Sequence, residues 1–217
     1  MANLISPKYD GAKLDMPSTD DLIDVFEDRM KGWFLEPTQK LLAAFNDFPA
    51  SICLQMTYFE GIWTFITGKD SDGKSASFFK RGFVSVFHGY GQPDDLLERV
   101  AQVLYTDARC GFFHDGMFRN RIYFSNRRHA LEITLPKRNG VTDPEGEIES
   151  IIIDPRQFHA TIQKHFTDFV TKLKNKQNAE ARRLFHAAFM ARQGRSRAIG
   201  IPDTDFKIGG NTGQNET

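Results

Sequence analysis

Cysteine is scarce in this chain, with only Cys53 and Cys110 among 217 residues. A single disulfide would be a thin framework for a secreted domain of this size, and neither thiol has a partner at metal-ligand spacing. Both lie in apolar helical patterns and are expected to behave as small buried hydrophobes. Long apolar runs are lacking too: no stretch approaches the roughly 18 residues needed to span a bilayer. The segment Met1 to Asp10 has no basic-then-apolar leader pattern. The expected setting is therefore a reducing cytoplasm without membrane contact. The sequence also offers almost no nucleophile, metal cluster or glycine-rich phosphate loop, and no cofactor is expected. No internal repeat is visible.

Aromatic residues are plentiful. Twenty Phe imply a core, or an interface, built on ring packing. Net charge is zero but unevenly spread: Asp10 to Phe48 holds nine acidic residues against four basic, and Lys172 to Lys207 nine basic against three acidic. This asymmetry suggests an intermolecular or nucleic-acid role for the basic end, or else simply a solvated helix and tail.

Residues 1–18, with Pro7, Gly11 and Pro17, read as an extended lead-in. Ser18-Thr19-Asp20-Asp21 then offers a capping residue and first-turn carboxylates ahead of Leu22, Ile23, Phe26 and Met30, a helical spacing. Pro37 is expected to kink or restart this helix. A second helix is expected over 50–67, a third through Phe78, Phe83 and Phe87, and a fourth from Asp94 through Leu97, Val100, Leu104 and Ala108 to Phe113. Beyond Gly116 the period changes: 122–124, 130–135 and 151–153 read as short strands, and 136–147 as a charged loop. Asp154-Pro155 restarts a helix with a capping carboxylate and a first-turn proline, whose pattern extends toward Met190. The expected fold is mainly α: an up-and-down bundle of about five helices over 19–193, with a small β element inserted at 117–153. Residues 194–217 are expected to form a flexible tail.

The segment Asp107-Ala-Arg-Cys-Gly-Phe-Phe-His-Asp-Gly116 carries the chemistry. A guanidinium and an imidazole held together can stabilise phosphorane charge and move a proton. Arg109 and His114 are flanked by Asp107 and Asp115, and Gly116 closes the turn. Chance alone supplies about one Arg–His pair at such spacing in a chain of this composition, and Arg81 with His88 is a second. On a regular α-helix, five residues place two side chains about 140° apart. One chain is then a poor site unless Gly111 loosens the last turn.

In this segment the chain resembles the HEPN domain family, whose hallmark is Arg, four to six residues, then His, late in a helical bundle. The match is Arg109-Cys-Gly-Phe-Phe-His114, preceded by Val103-Leu104-Tyr105. Met56-Thr-Tyr-Phe-Glu60-Gly-Ile-Trp63 is similar to the earlier helix of such domains, which often carries an acidic residue. Cys110 stands where the family usually has a polar residue, and Gly116 where catalytic members often have Tyr. The resemblance, over roughly 20–175, implies a homodimer and metal-independent RNA cleavage of a toxin or defence type. His114 would be general base on a ribose 2′-hydroxyl and Arg109 would neutralise charge on phosphorus, with Glu60, Asp107 and Asp115 in support. A cognate inhibitor or partner protein would accompany it. The alternative is a non-catalytic HEPN-like module for dimerisation or partner binding, with Arg109 paired to Asp107 or Asp115 and His114 capping the helix.

From Met117 to Arg138 six basic residues face one acid, Glu132, with Tyr123 and Phe124 among them. Arg119, Arg121, Arg127 and Arg128 are thus candidate RNA contacts, although basic side chains also blunt an exposed strand edge. His159 and His165 are wrongly spaced for a shared metal and His186 is isolated, so no metal site is expected. A homodimer is expected on a second ground as well: so many Phe residues exceed what one small core normally needs.

Overall fold

The computed structural model describes residues 4–45 and 48–193; the expected tail at 194–217 lies outside them. The described part is mainly helical, with the β element between the fourth and fifth rods. Helix α1 (Thr19–Met30) begins at a capping box in which Ser18 accepts from the Asp21 amide and Asp21 accepts from that of Ser18. A π-helical turn, Lys31–Leu35, joins it to the single α turn α2 (Glu36–Lys40), and a second π turn, Leu41–Phe45, follows. The chain stays helical through this region, and the irregularity expected at Pro37 is a π turn ahead of it, with Pro37 in the first turn of α2. The widened turn lies just where its ring would crowd the carbonyl four residues back. The lead-in is folded onto α1 rather than extended: Arg29 donates to the Ile5 carbonyl, and the Lys8 amide to Asp28 at 2.8 Å.

Helix α3 (Phe48–Thr67) is the central rod, packed against α4 (Ser75–Phe87). Gly82 makes this crossing close, because a Cβ there would lie 1.9 Å from the Phe59 carbonyl oxygen. Helix α5 (Asp94–Val103) runs without a break into a π-helical segment, Leu104–Asp115, closed by Gly116 at φ 70°. Helix α6 (Pro155–Lys174) starts as expected at Asp154, which accepts from the amides of Arg156 and Gln157. It does not reach Met190. The chain turns at 175–178 and returns as α7 (Ala179–Gln193), so six helical rods form rather than five.

The strands are β1 (Ile122–Phe124), β2 (Leu131–Thr134), β3 (Lys137–Arg138), β4 (Val141–Thr142) and β5 (Ser150–Ile153). β5 is central, parallel to β1 and antiparallel to β2, and it buries Ile151 and Ile153. β3 and β4 form a hairpin inside the expected loop. Arg99 of α5 holds that loop by donating to the Pro144 and Gly146 carbonyls.

Among the described residues, twelve phenylalanines are buried within one chain. Phe26, Phe166, Phe169 and Phe185 meet on one side of α3, and Phe79, Phe83, Phe87 and Phe158 surround Phe59 on the other. A single core thus absorbs most of the rings, which removes the aromatic excess as a ground for a dimer. Part of the charge asymmetry is met inside the chain: Glu27 of α1 pairs with Lys174 at 2.5 Å, and Asp20 with Arg182 at 2.7 Å. Cys53 and Cys110 are only half-buried, less enclosed than expected, and neither is in a disulfide. No helix among the described residues is long and apolar enough to cross a membrane.

Candidate active site

The π-helical segment changes the geometry expected of Arg109 and His114. Its hydrogen bonds reach five residues along rather than four, so residues five apart lie about one turn above each other instead of 140° away. Gly111 belongs to this arrangement, though its contribution is space rather than a loosened turn. A Cβ there would stand 2.8 Å from the Met117 carbonyl oxygen. The bare glycine lets the chain after Gly116 fold back, and the Arg119 amide reaches the Asp107 carbonyl at 2.9 Å.

Arg109 is held from three sides. Its guanidinium lies 5.2 Å from the centre of the Tyr105 ring and 5.7 Å from that of Phe113, both within cation–π reach. Its Nη2 is 3.5 Å from Oε2 of Glu60 on α3. The other oxygen of Glu60 accepts from the hydroxyls of Ser71 and Ser75, each at 2.7 Å. The carboxylate is therefore fixed from the α3–α4 connection and steers Arg109, whose side chain keeps 29% of its surface open. Arg109 pairs with neither Asp107 nor Asp115. Burial pushes the Tyr105 phenol above its usual range, opposed by the neighbouring Arg109 charge. His114 is exposed in the last turn of the segment, and no hydrogen bond or ion pair holds it among the described residues. Phe113 and Met117 beside it are 55% and 67% exposed.

The two flanking acids point to other partners. Asp107 is buried and binds Arg121 Nε at 2.6 Å, which raises the Arg121 pKa mainly through that hydrogen bond. Asp115 pairs with Arg119 at 3.0 Å. The basic ribbon therefore has less free charge than its count of arginines: Arg127 faces Glu132 at 3.6 Å, and Arg128 alone of the four candidates is exposed without an ion pair among the described residues. Arg81 and His88 do not form a second site, since His88 contacts Asp94 at the end of α4. No group of three or more His, Cys, Asp or Glu side chains suited to a metal forms among the described residues.

Glu60 was legible in the sequence through its helix. Ser71 and Ser75 were not, because a serine donor to a distant carboxylate has no spacing of its own. Comparison with known proteins found no matching family model, no matching curated protein and no matching solved structure.

Proposed function

We propose that this chain is a HEPN-like, metal-independent endoribonuclease, with His114 as general base and Arg109 as stabiliser of the phosphorane. What supports this reading is a π-helical segment that carries Arg109 and an exposed His114 five residues apart, with the Arg109 guanidinium beside Glu60, which Ser71 and Ser75 hold. His114 takes the 2′-hydroxyl proton as that oxygen attacks phosphorus; the 5′-oxygen leaves, and a 2′,3′-cyclic phosphate remains. The leaving oxygen also needs a proton, and one chain offers a single imidazole at this face. A second copy facing it across Phe113 and Met117 supplies another His114 and completes the cleft. Arg128 is the ribbon residue freest to meet a phosphate, and a toxin or defence setting with an inhibitor protein fits this chemistry.

The test is cleavage of single-stranded RNA in EDTA by the purified chain beside its His114→Ala and Arg109→Ala variants. Either change should lower the rate by about 10² or more, and DNA should resist because it lacks the 2′-hydroxyl. Full activity in the His114 variant, or cleavage abolished by EDTA, refutes the mechanism. A second reading, a non-catalytic dimerisation or partner-binding module, is favoured by one observation: Arg109 already has a carboxylate and two rings as partners. A wild-type chain that dimerises by light scattering but leaves RNA intact would decide for it.

A further inference from the structure

An apolar groove of about 90 Å³ lies between α1 and α3, and its lining includes none of Glu60, Arg109 and His114. Phe26, Met30 and Phe34 line it from α1 and the first π turn, and Gly61, Ile62 and Phe65 from α3. Both hydroxyls at the groove are already engaged. Thr57 donates to the Leu54 carbonyl at 2.7 Å, and the Tyr58 oxygen lies 2.9 Å from His165 Nδ1. The lining carries no charged side chain. Such a site offers a guest no free hydrogen-bonding group, so it suits aliphatic carbon. It is also reachable: Gly61 is half-buried, and a Cβ on it would meet nothing within 4 Å.

Helix α7 leads toward this groove. Against α3, Leu184 meets Gly68, Phe185 and Phe189 meet Phe65, and Arg192 donates to Thr64 at 3.1 Å with its guanidinium 5.3 Å from the Phe65 ring centre. Against α1, Arg182 meets Asp20, Phe185 meets Phe26, and Phe189 meets Arg29. Progress along α7 therefore runs down α3 and up α1. The next residues in both directions, Ile62 and Gly61 on α3 and Met30 on α1, belong to the groove. After Gln193 the sequence continues Gly194-Arg-Ser-Arg197 and then Ala198-Ile199-Gly200-Ile201-Pro202. Five to eight residues extend over roughly 17–28 Å, whereas Phe65 and Thr57 stand about 12 Å apart along α3. In an extended chain Ile199 and Ile201 point to one face and Gly200 to the other. The β-branched side chains and the proline that follows both favour that conformation. We propose that Ala198-Ile199-Gly200-Ile201 docks in this groove of its own chain, with an isoleucine side chain filling it. A tether this short gives an effective concentration of about millimolar, so a small apolar contact suffices.

The test is NMR of the full chain with labelled isoleucine methyls. A methyl of Ile199 or Ile201 should show cross-relaxation to the ring protons of Phe34 or Phe65. In a sample mixing labelled and unlabelled chains, the contact should prove to lie within one chain. Gly61→Leu places a four-carbon side chain in the groove, and there the contact should vanish and the methyl resonances return to positions typical of solvent-exposed isoleucine. Should that variant fail to fold, Ile199→Asp/Ile201→Asp decides, since both changes lie outside the described core. The Phe34 and Phe65 ring resonances should then move from their wild-type positions. No methyl–ring contact in the wild type, a contact found only between chains, a contact that survives Gly61→Leu, or ring resonances unmoved in the double variant would each overturn the proposal. The groove excludes Arg109 and His114, so an absence of ribonuclease activity would not count against it.

Discussion

Replacing Gly82 by alanine should damage this fold, whereas the same change at Gly61 should not. At Gly82 the new Cβ would meet the Phe59 carbonyl oxygen at 1.9 Å and its carbon at 2.7 Å. Both are backbone atoms of a helix and cannot swing aside. Relief requires α3 and α4 to part by about 1 Å or more, which loosens the Phe59, Phe79 and Phe83 contacts. Overpacking of this kind costs about 1–3 kcal/mol, and a backbone clash belongs at the upper end. At about 2–4 °C per kcal/mol for a domain of this length, a loss of about 6–12 °C in Tm follows. Gly61 sits in the same helix α3, and a methyl there would have nothing within 4 Å. Alanine at that position should raise stability by about 0.4–1 kcal/mol through the unfolded state. Thermal melts followed by circular dichroism on the two variants give opposite signs if the crossing is as close as described. A Gly82→Ala melt within about 2 °C of wild type, or both variants shifting together, would refute the reasoning.

Acid should weaken the fold through His165, whose pKa burial lowers to about 4 and whose Nδ1 lies 2.9 Å from the Tyr58 hydroxyl. The unfolded chain binds that proton near pH 6.5, so stability is intact above 6.5 and falls between about 6.5 and 4, by up to about 3 kcal/mol. Urea midpoints across that range measure it, and a slope unchanged in His165→Gln would exclude this residue as the cause. Asp107→Ala removes one partner of the part-exposed Arg121, which keeps Glu147, and should cost about 1.5–3 kcal/mol, the scale of a hydrogen bond to a charged group; an unaltered urea midpoint would show the pair to be fully solvated in effect. Glu60→Gln should slow RNA cleavage about tenfold by releasing Arg109, with under about 1 kcal/mol of stability lost, because the pair is partly exposed. Equal rates in single-turnover assays would remove Glu60 from the positioning of Arg109.

Helices α1, α3, α4 and α5 were legible from apolar spacing, and α6 from the Asp154-Pro155 start, because each depends on local capping and one buried stripe. The π-helical segment was not. Its apolar residues fit an α pattern equally well, and the return of Met117 and Arg119 against Gly111 beside it follows no residue spacing. The β3–β4 hairpin stands where a loop was expected, although its local signal is strong. Asn139-Gly140 is a preferred two-residue turn, and both residues adopt positive φ. The break before α7 is also partly local, with Asn178 donating to the Lys172 carbonyl at 2.9 Å. The pairing of Arg121 with Asp107 joins residues 14 apart across a turn, and a count of basic residues cannot reveal it.

The clasp between α1 and the last two helices has a consequence for how the chain is made. Asp20 finds Arg182 162 positions later, and Thr19 finds His186 167 positions later. Phe26 likewise waits for Phe166, Phe169 and Phe185. Helix α1 precedes all of these partners, so apart from Phe65 of α3, which meets Phe26 at 4.6 Å, this side of its apolar stripe stays uncovered until α6 and α7 have been synthesised. Contacts of such high sequence separation form late and slow the final collapse, and an unprotected stripe in the interval is open to association with other chains. The same acidic residues that later latch onto α6 and α7 keep the waiting helix charged and well hydrated while its partners are still being translated.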